Sequence, residues 1–74
     1  MKYIVSFYVD YDAFAFSDYL KKQGINGKLG PLPRKLSATC GLCVTFEGDE
    51  GFKFDAFETE CVYIEIGHEE YKKL

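Results

Sequence analysis

Cys40, Cys43 and Cys61 are the residues of this 74-residue chain whose type and placement point to chemistry. Cys40 closes the run Pro33-Arg34-Lys35-Leu36-Ser37-Ala38-Thr39-Cys40, and Gly41 leads from it into the apolar segment Leu42-Cys43-Val44-Thr45-Phe46. A turn that delivers a thiol to the start of a strand exposes the sulfur while fixing its backbone. Arg34 and Lys35, six and five residues upstream, supply cations suited to a thiolate, and Ser37 and Thr39 supply hydroxyls that can hydrogen-bond a second sulfur. Gly41 lets the backbone open around the thiol. This is the pattern of a single nucleophilic cysteine.

Other readings of the same residues stand beside it. Leu36, Ala38 and Cys40 share the parity of Leu42, Val44 and Phe46, so one unbroken strand would bury Cys40 as an inert core thiol unless Gly41 breaks the register. Cys40-Gly41-Leu42-Cys43 is formally a C-x-x-C redox motif. In thioredoxin-like sites that motif opens a helix, whereas Val44-Thr45-Phe46 demands a strand, which turns positions three apart to opposite faces. A zinc set of Cys40, Cys43, Cys61 and His68 has the right spacing in one half and a loose Cys-x6-His in the other. The expectation is therefore no metal and no cofactor. His68 has no partner nearby in sequence, and no phosphate loop, hydrolase triad or paired-carboxylate pattern rises above chance.

The elements that must hold these residues read in order along the chain. Tyr3 to Val9 is β-branched and aromatic with no strongly polar face, which predicts a central strand. Asp12 predicts a helix start at Ala13, with Ala13, Phe16 and Leu20 at helical spacing and Phe14 and Tyr19 also assigned to the core. Lys21 and Lys22 suit the helix C-terminus, and Gly24 supplies its terminator. A brief strand fits Asn26 to Leu29, or Lys28-Leu29 if Asn26-Gly27 turns. Leu42 to Phe46 is a strand with Leu42, Val44 and Phe46 inward and Cys43 and Thr45 opposite. Phe52 to Cys61 mixes periods, and a short helix over Asp55 to Glu60 or an irregular link closes the core through Phe54 and Phe57. Cys61 to Ile66 is the last strand, Gly67 ends it, and His68 to Leu74 is a charged tail of at most one helical turn.

That order predicts an α+β domain spanning 1–74, a ferredoxin-like βαββαβ sandwich with an antiparallel sheet, helices on one face and a short or irregular second helix. At this size a single core is only marginally sufficient, and 47% hydrophobic residues with 13 aromatics place the chain among folded globules. A sheet under-covered by its second helix would make a homodimer the natural remedy. An odd number of cysteines argues against a disulfide framework. No apolar run reaches the length of a membrane span, and Met1-Lys2 leads directly into an amphipathic strand, so a cytoplasmic protein with reduced thiols and no membrane contact is expected. The net charge of −3 conceals a segment from 19 to 46 with five cations and no acid, against −8 elsewhere. Overall acidity argues against nucleic-acid binding, while the basic segment reads as a solvated face or as a cationic wall around Cys40.

Pro33-Arg34, Leu36 and the run Ser37-Ala38-Thr39-Cys40-Gly41 before a strand resemble a family of small bacterial proteins described as selenium/sulfur carrier-like. In that family a Ser-x-Ser-Cys-Gly run occupies this place. Thr39 departs from the usual serine, and Cys43 is an addition. The resemblance covers residues 2 to 46 well and fades beyond. It implies that Cys40 carries sulfur or selenium in a persulfide or selenopersulfide relay, supported by Arg34, Ser37, Thr39 and Gly41. It also implies a sulfur or selenium donor or acceptor protein as partner, such as a cysteine desulfurase, and a carrier or accessory role in place of stand-alone catalysis. The alternative is a non-catalytic ferredoxin-like ligand-sensing or assembly module whose cysteines are structural.

Overall fold

In the computed structural model the described residues are 1–36, 41–54 and 57–74. They form β1 (Lys2–Ser6), α1 (Asp10–Lys22), β2 (Lys28–Pro31), β3 (Leu42–Glu47), β4 (Cys61–Gly67) and β5 (Glu70–Lys73). The five strands make one antiparallel sheet in the order β2-β3-β1-β4-β5. β1 is central, as its two-sided apolar sequence requires: Tyr3 to Phe7 are all buried. Its strand pairing ends at Ser6, earlier than the alternation suggests, and Tyr8 and Val9 are exposed where the chain leaves for the helix.

α1 begins at Asp10, two residues before the capping position expected at Asp12. The N-cap is Val9, which offers no side-chain acceptor, so the first turn relies on Asp10 and Asp12 near the positive end of the helix dipole. The C-terminus follows the expected chemistry closely. Gly24 takes φ +79°, its N–H donates to the Lys21 carbonyl at 3.1 Å, and Ile25 N–H donates to the Leu20 carbonyl at 2.9 Å. These two bonds make a Schellman motif, and Ile25 packs against the core as the motif favours.

Ala13, Phe16 and Leu20 lie fully buried against Val5, Phe7, Val44 and Phe46 on one face of the sheet. Phe16 is the hub, with ring centroids 5.0 Å from Phe57, 5.5 Å from Phe7 and 5.7 Å from Phe46. Phe52, Phe54 and Phe57 close the edge of this cluster. Burying each such ring is worth about 1.5–3 kcal/mol, so aromatic content compensates for the short chain. Phe14 does not join them: it is 54% exposed, on the opposite side of α1 from Phe16.

The α+β class and the antiparallel sheet are as expected, but the βαββαβ plan needs two corrections. Among the described residues α1 is the single helix, and residues 57–60 are irregular; Asp55 and Ala56, the start of the expected second helix, lie outside the described residues. The charged tail is a fifth strand. Gly67 pairs with Glu70 across His68-Glu69, with Glu69 at φ +56° and a register shift between Glu65 and Gly67. The second face of the sheet is not bare either, since Ile4, Ser6 and Cys43 are buried there. No described helix is long and apolar enough to cross a membrane.

Candidate functional site

Topology brings the chemistry-bearing segments to one end of the sheet. β1 and β2 run the same way, with β3 between them running opposite, and β4 flanks β1 on its other side. The C-terminal ends of β1 and β2 therefore meet the starts of β3 and β4. Ser6, near the end of β1, is the cross-strand partner of both Cys43 and Cys61. Pro31 at the end of β2 pairs with Leu42, and Leu32 N–H donates to the Gly41 carbonyl at 3.2 Å. That bond closes the neck of the loop containing Arg34, Lys35 and the run up to Cys40.

Within the loop, Leu36 N–H donates to the Pro33 carbonyl at 3.0 Å, a turn that puts Arg34 and Lys35 exposed at its tip. Gly41 is exposed, at φ +34°, a backbone region that a residue with a Cβ seldom enters. Ser37, Thr39 and Cys40 lie outside the described residues. Arg34 and Gly41 thus come to the same loop, on either side of them in sequence.

The other two cysteines have different surroundings. Cys43 faces away from the α1 core, as alternation requires, yet it is 1% exposed. Its S–H donates to the Pro31 carbonyl at 3.5 Å. Cys61 opens β4 half-buried and not in the apolar core, because it shares the second face with Ser6 while Val62 and Ile64 turn inward. Beside it Tyr63 has its phenol pushed above the ordinary 10.0 by desolvation first, then by its hydrogen bond to the Cys61 side chain and by the negative charge of Cys61 and Glu60. Ser6 Oγ–H lies 3.4 Å from Glu60 Oε1 and 3.5 Å from the Cys61 carbonyl, and Glu60 N–H donates to the Ser6 carbonyl at 2.8 Å. Ser6, Glu60 and Tyr63 carried no signal of their own in sequence; the two-residue spacing of Tyr63 from Cys61 within a strand was the available clue.

Several groupings suggested by sequence are not brought together. Cys43 and Cys61 stand on the strands either side of β1, about 10 Å apart by strand spacing, beyond the reach of a disulfide. His68 follows β4 at the end away from Cys61, about 20 Å along the strand, so those two cannot share a zinc ion. The five cations of the basic segment are also divided. α1 returns the chain to the far end of the sheet, leaving Lys21, Lys22 and Lys28 there, so only Arg34 and Lys35 of the five are on the loop that carries Cys40. Asp10, Asp12 and Glu60 are at this end as well, so its charge is mixed.

A small α+β domain with Cys43 and Cys61 at one sheet end, and exposed Arg34 and Gly41 on a loop closed at its neck beside them, is the setting in which the family comparison falls. The chain belongs to the family described as "Putative Se/S carrier protein-like", whose model matches residues 2–67. The match runs past Phe46, where the sequence resemblance fades, and through β4. Comparison with curated proteins and with solved structures finds no significant match.

Proposed function

We propose that this protein carries sulfur or selenium on Cys40. Family membership and the described ends of the loop support the reading: exposed Arg34 and Gly41 lie on either side of the Cys40 run in sequence, with the neck closed between Leu32 and Gly41, while Cys43 is 1% exposed. The sealing of Cys43 is the observation that carries the assignment among the thiols, because a carrier must meet a donor and hand on to an acceptor. The Cys40 thiolate attacks the outer sulfur of a donor persulfide, R–S–SH. A new S–S bond forms, the donor's S–S bond breaks, and the donor leaves as R–S⁻, giving Cys40–S–SH with no net oxidation. Arg34 and Lys35 would stabilise the thiolate and the persulfide anion, with Ser37 and Thr39 donating hydrogen bonds to the terminal atom and Gly41 giving the donor close approach. The partner is a sulfur or selenium donor or acceptor protein, of which a cysteine desulfurase is one kind, in a cytoplasmic setting that keeps thiols reduced. The four strands β2-β3-β1-β4 we read as the ferredoxin-like part of the sheet, to which β5 is added.

The test compares alkylation rate against pH for the parent, Cys40→Ser, Cys43→Ser and Cys61→Ser, with intact mass after exposure to a small-molecule persulfide. The fast, low-pH phase and the mass gain of about 32 Da for sulfur should disappear in Cys40→Ser and persist in the other two. A fast phase surviving Cys40→Ser would leave an assembly module with structural cysteines as the better reading.

A further inference from the structure

On the side turned away from the sheet, α1 carries a second apolar stripe. Its inner face is Ala13, Phe16 and Leu20; its outer face presents Tyr11 at 75% and Phe14 at 54% exposure. Tyr11, Phe14, Ala15 and Asp18 line a shallow groove along that face. Their positions follow i, i+3, i+4 and i+7, the spacing of a helix face that packs against something. Tyr8 and Val9, in the loop just before the helix, are also about half exposed. Isolated exposed aromatics are ordinary, whereas four large apolar residues exposed within positions 8–14 form a patch of the kind that marks an interface.

Charge on the same helix is segregated by end, with Asp10 and Asp12 in the first turn and Lys21 and Lys22 in the last. At about 100° per residue, Asp10, Phe14 and Lys21 fall within about 40° of one another, so they share one flank of the outer face. Asp18 on this face is 3.9 Å from Lys22, which engages that lysine within its own helix. A partner complementary to such a surface must offer base opposite Asp10, acid opposite Lys21 and an apolar groove between them. The same helix turned end for end offers this. In an antiparallel two-fold pair like flanks face each other, so acid meets base at both ends, and Ala15 near the centre lets the backbones approach. A parallel pair would set acid against acid and lysine against lysine.

We propose that a second copy of this chain is the occupant: a two-fold dimer formed through the outer face of α1, with Phe14 of each copy in the other's groove and Asp10 against Lys21 across the axis. A 13-residue helix is about 20 Å long, which puts the contact at the small end of specific interfaces and makes the dimer concentration-dependent. Light scattering and sedimentation of the full chain, from micromolar to millimolar, should show the mass rising from 8.5 kDa toward twice that value. Phe14→Glu, and Phe14→Ser as the variant without new charge, should remain monomeric, with melting temperatures matching the parent's at micromolar concentration, where it too is monomeric, because Phe14 is outside the core. Asp10→Lys or Lys21→Glu alone should weaken association about tenfold, and the double exchange should recover it, since each cross-axis pair is rebuilt with reversed sign. A monomer at every concentration would overturn the proposal, as would a dimer indifferent to Phe14 or single reversals that the double exchange fails to rescue.

Discussion

Cys43 offers the sharpest measurement of how far the fold discriminates between chemically equal thiols. It lies in β3 with a strand on each side, opposite Ser6 on β1 and Gly30 on β2, and it is 1% exposed. At that exposure, a reagent the size of iodoacetamide can reach its sulfur only after the structure opens around it. β3 carries Val44 and Phe46 into the core, so an opening that displaces β3 costs a large part of the global stability. For a domain of this size the global figure is about 5 kcal/mol, at the low end of the usual range, which corresponds to labelling slowed about 10³- to 10⁴-fold relative to the unfolded chain. Timed alkylation in native buffer and in concentrated urea, followed by peptide mass mapping, gives the ratio for each cysteine. Cys61, half-buried at the start of β4, should label in the native state without global opening. Native labelling of Cys43 within tenfold of its unfolded rate would refute the burial of its sulfur, and with it the ground for assigning the carrier role elsewhere.

Two further outcomes follow from particular contacts. The Tyr63 phenol, raised by desolvation and by its Cys61 and Glu60 neighbours, should be a late-titrating tyrosine in tyrosinate absorbance, and Cys61→Ser should bring it back toward the ordinary value. Because its folded value is raised, its contribution to stability is complete below about pH 10 and is lost as pH rises through the folded value, so alkaline melting curves of Tyr63→Phe should fall less steeply than the parent's. Gly27→Ala would bring a Cβ to 2.9 Å from Leu20 Cδ1 and 3.3 Å from Val44 Cγ1, where α1 meets the sheet. A loss of about 1–3 kcal/mol, read from urea unfolding midpoints, is expected from that overpacking.

The parts of this fold that announce themselves in sequence are those in which local pattern and tertiary demand agree. Ala13, Phe16 and Leu20 repeat at helical spacing and are buried; Val44 and Phe46 alternate and are buried; Gly24 terminates α1 as its lack of a Cβ permits. The failures share a cause, which is that the deciding interaction is distant in sequence. β5 is polar, and its turn, His68-Glu69, has none of the glycine or asparagine that usually marks a two-residue hairpin, so only pairing with β4 reveals it as a strand. Phe14 has the composition of a core residue and lies beside Phe16 in sequence, but the helix turns it to solvent. The acid-free stretch reads as one cationic wall in one dimension and is split between the two ends of the sheet by α1.

The same topology brings Cys43 and Cys61, 18 residues apart in sequence, to one end of the sheet. Two strands that flank β1 and run opposite to it must begin where β1 ends, so Cys43 and Cys61 come level with Ser6, and the loop after β2 returns to the same end with Gly41. Proximity alone would make them a redox pair or a metal site, and pairing geometry forbids both for Cys43 and Cys61 by keeping β1 between them. What remains is a gradient of access: Cys43 buried on the second sheet face, Cys61 half-open beside Tyr63, and a loop held at its neck, exposed at Arg34 and Gly41. A relay thiol needs the last of these, because its rate depends on meeting another protein's sulfur. Burial of Cys43 would keep a sulfur atom carried on the loop from being passed to that thiol.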